Sequence, residues 1–472
     1  MDATVLRNAF LESISNQPDA VPTRRYFYCP SAHVKALRED SSLVQGIRGA
    51  GKSVWWALLQ DQTVANIVYG RDKKVVIRPG FGVAAGPEPS HYPGPLVLEQ
   101  LLHGFSPHLI WRAVILSGLP EIVPRDLLTW AERTRFVGEN PEQIDHTLHE
   151  QENHFQKDKT VYLILFDALD RTILGTNAWT LQRKLLNGLL QNVLDFRSSK
   201  SIRLKVFVRP DMLEGPEVGD FPDASKVLTS SVDLRWTHRQ LFGLLWQHLL
   251  NGEGNGVAFR ELCETQFQQI CAWVGGAWEA TEPMKNEESL QQKIFECLAG
   301  PRMGKNHRGG HPYTWLPRHL SDADHQASPR SFLAALRKAA ELSQDGFPTC
   351  AQPLHHETLK KGCQHASSIR VAELKEDFDW IEQVMEPLRG LKVPCAISEI
   401  EARWKEARLP DKSSPALQAV LSQKPLSPTK ALCDLLTDIK IFDRLESGRI
   451  NVPDVYRVGF GLLRLGGVKA LR

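Results

Sequence analysis

The stretch Gly46-Ile47-Arg48-Gly49-Ala50-Gly51-Lys52-Ser53 fits the phosphate-loop pattern G-x-x-x-x-G-K-[ST] at every position, and no other part of the chain constrains the fold as strongly. Gly46, Gly49 and Gly51 permit positive φ, so successive backbone N–H groups can converge on an anion where a helix begins. Lys52 can then reach the outer phosphates as a point charge, and the Ser53 hydroxyl is placed to ligate magnesium. Arg48, Ala50 and Val54 complete the candidate nucleotide-binding segment. The flanks agree: Ser42 to Gln45 is a short apolar strand candidate, and Val54 to Leu59 is an apolar helical run. A strand, a glycine loop and a helix in that order predict an α/β fold built on a parallel sheet.

A second stretch belongs with the first. Val161 to Phe166 is six apolar residues long, which suits a strand buried on both faces, and Asp167 stands where such a strand ends. From there Asp167 can hold magnesium from the far side of the nucleotide. Asp170, three residues on, is the candidate to orient or deprotonate an attacking water, or else an acid that stabilises the next helical turn. Arg171 either reaches the phosphate of a neighbouring subunit or pairs with Asp167 or Asp170. Ile202 to Val208 is a further strand, and Arg209 at its carboxyl end is either a sensor of the γ-phosphate or one half of a salt bridge. With Lys74 to Arg78 and Ser231 to Trp236, five strands are expected. Residues 83–158 hold helical patterns between two of them and are expected to form an inserted helical subdomain.

Taken in order, GIRGAGKS, LILFDALDR, LKVFVRP, SVDLRW with a leucine-rich helix behind it, and SPRSF at Ser328 to Phe332 resemble the bacterial P-loop ATPases allied to the AAA+, STAND and KAP groups. The resemblance spans roughly residues 26–340. It implies a P-loop NTPase fold with a five-stranded parallel sheet, a helical lid, binding of ATP with Mg2+, slow hydrolysis, and nucleotide-driven oligomerisation or switching. It often goes with a place in antiviral defence or signalling, beside a separate effector protein. Carried over by position, it implies phosphate contacts from Lys52, magnesium held by Ser53 and Asp167, catalysis by Asp170, a first sensor in Arg209 and a lid sensor in Arg330. An origin-recognition or transposition-regulator ATPase that loads on duplex DNA is the alternative setting, and a non-hydrolysing, nucleotide-bound scaffold is another.

The rest of the chain narrows these settings. A net charge of +2 over 472 residues gives no overall polyelectrolyte character, so a nucleic-acid site has to be a local patch. No run of residues approaches the roughly 18 apolar positions of a membrane span. No basic-then-apolar leader is seen, and the expected location is the cytoplasm. Eight cysteines without framework spacing suit reduced thiols, and Cys350, His355, His356, Cys363 and His365 match no standard zinc pattern.

The expected domain order is an ATPase core over 1–250, a helical lid over 251–345, a linker over 346–367 and a winged-helix-like α+β domain over 368–472. In that last domain Val371 to Leu388, Ile397 to Trp404 and Leu432 to Phe442 read as helices, followed by a hairpin around Ser447-Gly448. Arg444, Arg449, Arg457 and Arg464 are the candidate DNA contacts there, although the resemblance to STAND-like ATPases equally implies a packing and regulatory role for such a module. Tyr26 to Tyr28 either covers a base or packs as core. Gly300 to Pro312 reads as a basic, glycine-rich surface loop.

Overall fold

The structure, a computed structural model, describes residues 2–15, 23–70, 74–82, 91–174, 178–215, 217–304, 309–409, 417–418, 428–464 and 468–471. Lys305 to Arg308 of the basic loop and Gly466-Gly467 and Arg472 of the basic tail lie outside the described residues. The chain divides into two compact units, Cys29–Arg235 and a second made of Met1–Tyr28 with Trp236–Arg472.

The first unit is built on a five-stranded parallel sheet. Its strands are β1 (Leu43–Gln45), β2 (Lys74–Phe81), β3 (Thr160–Phe166), β4 (Ile202–Val208) and β5 (Val232–Asp233), in the spatial order β2-β3-β4-β1-β5. The apolar runs read from the sequence are these strands, and β3 and β4 are buried along nearly their whole length, as a sheet covered on both faces demands. The fifth strand shrinks to two residues, because only Val232 and Asp233 pair with β1 before the chain turns away. Register puts Gln45 opposite Val208 and Phe166 opposite Val206. Gly46, Asp167 and Arg209 therefore leave the sheet at one carboxyl edge, the place where open parallel sheets bind ligands.

Helices Pro95–Leu101, Pro107–Ser117, Trp130–Glu139 and Pro141–Lys157 fill the expected stretch between β2 and β3. They are no separate subdomain. Trp111 meets Phe81 and Phe166 edge-on at 5.9 and 5.6 Å and donates its Nε1 to the Leu185 carbonyl at 2.8 Å. One apolar core thus joins these helices to the sheet. The reason lies in the Pro107–Ser117 helix, whose Ile110, Trp111, Ala113, Val114 and Ile115 are almost fully buried.

In the second unit, helix Ala3–Ser13 is capped by the Asp2 carboxylate and packs with helices His238–Leu250 and Pro329–Gly346. Tyr26 stacks on His248 at 5.0 Å and Tyr28 lies 6.3 Å from Trp236, so of the two readings of these aromatics the structure supports core. The expected linker over 346–367 is corrected: His356–Asp377 is one helix of 22 residues, running against Pro329–Gly346. Gly362 of this helix lies against the Ala335 backbone, and its buried face mixes Thr358, Gly362 and Ser367 with Leu359, Cys363 and Ala366, which leaves little hydrophobic periodicity in the sequence. The expected helix over Val371 to Leu388 is likewise interrupted, ending at Asp377 and resuming at Ile381–Met385.

A Cβ on Gly362 would lie inside the contact distance of the Ala335 carbonyl oxygen, backbone that cannot swing aside. Gly362→Ala is expected to destabilise the protein by about 1–3 kcal/mol by forcing the two helices apart. Thermal melting checks this, and an unchanged midpoint would show that the crossing is looser than described.

The chain closes with helices Ile397–Glu406 and Pro428–Asp438 and a hairpin pairing Asp443–Arg444 with Ile450–Asn451. Cys395 adds a bridge to Ile450, and Trp404, Leu436, Phe442 and Val452 form the core beneath. This is the winged-helix-like end expected from the sequence. Among the described residues no helix is long and apolar enough to cross a membrane, and no group of three or more metal-ligating side chains occurs.

Candidate nucleotide site

The phosphate loop leaves β1 between β4 and β5, and its first amide, Gly46 N, donates to the Val208 carbonyl at 3.1 Å. Gly49 and Gly51 take φ of 79° and 100°, which a residue with a Cβ adopts only with strain, and the helix Lys52–Leu58 starts directly behind them. The candidate residues Gly46 to Val54 thus form one turn and the first turn of one helix. Trp56 locks that helix down by donating Nε1 to the Leu165 carbonyl of β3 at 3.2 Å.

Lys52 folds over the loop, its Nζ donating to the carbonyls of Gly46 at 2.7 Å and Ile47 at 3.1 Å. Burial pushes the Lys52 ammonium down to about 8, against the pull of Asp167, and Asp170, Arg209 and Asp211 all act on it electrostatically. These groups, drawn from three strand ends, therefore belong to one site. Asp167 is 2 % exposed, and burial raises its carboxyl above the usual range while the Ser53 hydroxyl and Lys52 hold it down. A buried carboxylate hydrogen-bonded to a hydroxyl supplies two hard oxygen donors, which is the donor set magnesium prefers. The arrangement fits a nucleotide with its metal.

After Asp167 the chain turns sharply, with Ala168 at a φ of 53°, into the short turn Leu169–Arg171. Gln182 pins that turn by donating Nε2 to the carbonyls of Asp170 at 2.6 Å and Ile173 at 2.9 Å. The Asp170 carboxylate is partly open and meets Arg209 Nη1 at 3.3 Å. Arg209 is 7 % exposed and is paired more closely with Asp211, at 2.6 Å. Arg171 is exposed, and among the described residues it forms no ion pair with Asp167 or Asp170.

Two residues escaped the sequence reading. Asp211 stands two positions from Arg209, and the Trp179 ring, 5.9 Å from the Arg209 guanidinium carbon, lies thirty residues upstream. The local string Arg-Pro-Asp is a signal for the first. Nothing in the sequence points to the second.

The remaining candidates fall in the second unit. Arg330 lies in the first turn of helix Pro329–Gly346, where it was expected, and its guanidinium holds Glu373 at 2.6 Å. One of the four DNA candidates is corrected, and a second is engaged within the domain. Arg457 is 1 % exposed, pairs with Asp454 at 2.6 Å and donates to the carbonyls of Leu462 and Val468. Arg464 joins the same aspartate at 2.9 Å and reaches Asn451 and Val452. The Arg457 guanidinium closes the end of the domain and cannot grip phosphates without opening it, whereas Arg464 is partly exposed. Arg444, paired with Asp434 at 2.9 Å, and Arg449, bonded to the Pro394 carbonyl, remain exposed on the hairpin.

No protein-family model matches the chain, and no curated protein matches it. Among solved structures, the chain is similar to the ORC2 protein of Aeropyrum pernix in ADPNP–ADP complexes, at 13% identity over 88% of this chain and 85% of the other, with a TM-score of 0.38. It is also similar to Cdc6p of Pyrobaculum aerophilum, at 11% identity over 97% of this chain and 94% of the other, with a TM-score of 0.31.

Proposed function

We propose that the chain is a magnesium-dependent ATPase whose slow hydrolysis drives a conformational or assembly switch. The observation that carries this reading is the convergence at one sheet edge of a glycine loop with positive φ at Gly49 and Gly51, the Lys52 ammonium, and the Ser53–Asp167 oxygen pair. The loop amides and Lys52 hold the phosphates, and Ser53 and Asp167 are the residues that hold magnesium. Magnesium bound there neutralises charge on the phosphate oxygens. Asp170 takes the proton of the attacking water as its oxygen bonds to the γ-phosphorus and the bond to the bridging oxygen breaks, leaving ADP and phosphate. Arg209 offsets the charge that develops on that phosphate. Arg330 and Arg171 are the groups through which the lid and a neighbouring subunit respond.

A switch needs different affinities for the nucleotide in its two states. Its output is either an assembly of this chain with an effector protein or loading on duplex DNA, and the exposed Arg444 and Arg449 of the hairpin favour keeping the second reading. The solution mass of the protein without nucleotide, with ADP, with a non-hydrolysable ATP analogue, and with the analogue plus duplex DNA separates them. An increase in subunit number with the analogue alone supports assembly. A DNA complex that needs the analogue and dissolves with salt supports loading. A mass indifferent to nucleotide and DNA would overturn both nucleotide-driven assembly and DNA loading.

A further inference from the structure

Arg209 is clamped by Asp211. Its Nε donates to Asp211 Oδ1 at 3.0 Å and its Nη2 to Asp211 Oδ2 at 2.6 Å, a two-pronged contact that fixes the plane of the guanidinium as well as its position. The Trp179 ring lies 5.9 Å from the guanidinium carbon. The third nitrogen, Nη1, is turned toward Asp170, at a longer 3.3 Å. The clamp is assembled locally. Pro210 fixes its own φ between the two partners, and the turn Pro210–Met212 closes with Met212 N donating to the Arg209 carbonyl at 3.1 Å. Arg183, which also lies over Trp179 at 5.4 Å, donates to the Asp211 carbonyl at 3.4 Å and ties the turn to helix Ala178–Asp195.

We infer that Asp211 is the positioning residue of the site: its carboxylate clamps Arg209 so that the Nη1 edge is shared between Asp170 and the terminal phosphate of a bound nucleoside triphosphate. The inference rests on the proposed ATPase reading. With a diphosphate bound, Arg209 stays on Asp170 and holds that carboxylate in an ion pair. With a triphosphate bound, the phosphate oxygens compete for the same donors, and Asp170 is released to the water. Discrimination between the two nucleotides therefore depends on a residue that touches neither.

The test compares affinities for ADP and for a non-hydrolysable ATP analogue in the full chain, with magnesium, for wild type, Asp211→Asn, Asp211→Glu, Arg209→Ala and the double variant Arg209→Ala/Asp211→Asn. In Asp211→Asn the amide turns a donor toward Arg209 Nη2, so the clamp is lost with little change in size. That variant is expected to bind ADP within about twofold of wild type and to lose about tenfold of the preference for the triphosphate, with Asp211→Glu recovering part of it. Arg209→Ala is expected to lose the preference as well, and the double variant to be no worse than Arg209→Ala alone. Wild-type preference retained in Asp211→Asn, losses that add in the double variant, or ADP affinity and thermal midpoint falling together would overturn the positioning role. A wild type that binds both nucleotides without preference would also overturn it while leaving the nucleotide site standing. A wild type that binds neither would overturn the ATPase reading itself, and this inference with it.

Discussion

Asp170→Asn is expected to lower phosphate release from ATP by roughly 10²- to 10⁴-fold, with affinity for the ATP analogue within about threefold of wild type. The amide keeps the shape of the side chain and removes its ability to take a proton. The binding groups, Gly46 to Ser53 and Asp167, are untouched. The turn itself does not depend on the carboxylate, because Gln182 holds it through the backbone carbonyls of Asp170 and Ile173. A variant that hydrolyses ATP at the wild-type rate would show that Asp170 stabilises its turn or its ion pair with Arg209 and has no part in the chemistry. If wild type and variant both bind ATP without releasing phosphate, the protein is a nucleotide-bound scaffold.

Lys52→Ala is expected to weaken triphosphate binding by roughly 30- to 1,000-fold, the equivalent of about 2–4 kcal/mol for a charge pair lost from a partly buried site. Its ammonium is pushed down to about 8 by burial, so the protonated form is only moderately favoured near neutral pH. Phosphate oxygens stabilise the charge, and the bound state therefore takes up more protons than the free one. Wild-type affinity is then expected to fall as pH rises through about 8, and Lys52→Ala to show no such dependence in that range. Titrations of both proteins between neutral pH and roughly two units above it check the sign. An affinity in wild type that rises with pH over that interval would mean that Lys52 is not the group on the phosphates.

What the sequence revealed and what it hid follow from how local each feature is. The phosphate loop and Asp167 are readable because each is a run of neighbouring residues at the end of an apolar strand, so chain order alone places them. Lys205 shows the opposite case. It sits in the middle of β4 and is fully buried, its Nζ donating to the carbonyls of Ala36, Arg38 and Ser41 at 2.8, 2.8 and 2.6 Å. A charge in a strand reads as a solvent-facing position until the loop that satisfies it is seen. Burial brings that ammonium down to about 7. Arg457 misled for the same reason, since a basic tail looks like a phosphate-binding surface when the buried Asp454 and the carbonyl that absorb its charge are out of view. The helix His356–Asp377 was hidden because the face it buries mixes Thr358, Gly362 and Ser367 with Leu359, Cys363 and Ala366, which blurs the apolar stripe. Trp179 stands in a helix whose periodicity marks it only as one more half-buried aromatic.

The central claim is that residues 46–53 and Asp167 together bind a nucleotide with its magnesium. It is tested most directly by calorimetric titration of the wild-type chain with a non-hydrolysable ATP analogue, once with magnesium and once with a chelator. One saturable site per chain is expected, weakened about tenfold or more when magnesium is removed, because the buried Asp167 carboxylate then faces the phosphates without the cation between them. No saturable binding under either condition would contradict it.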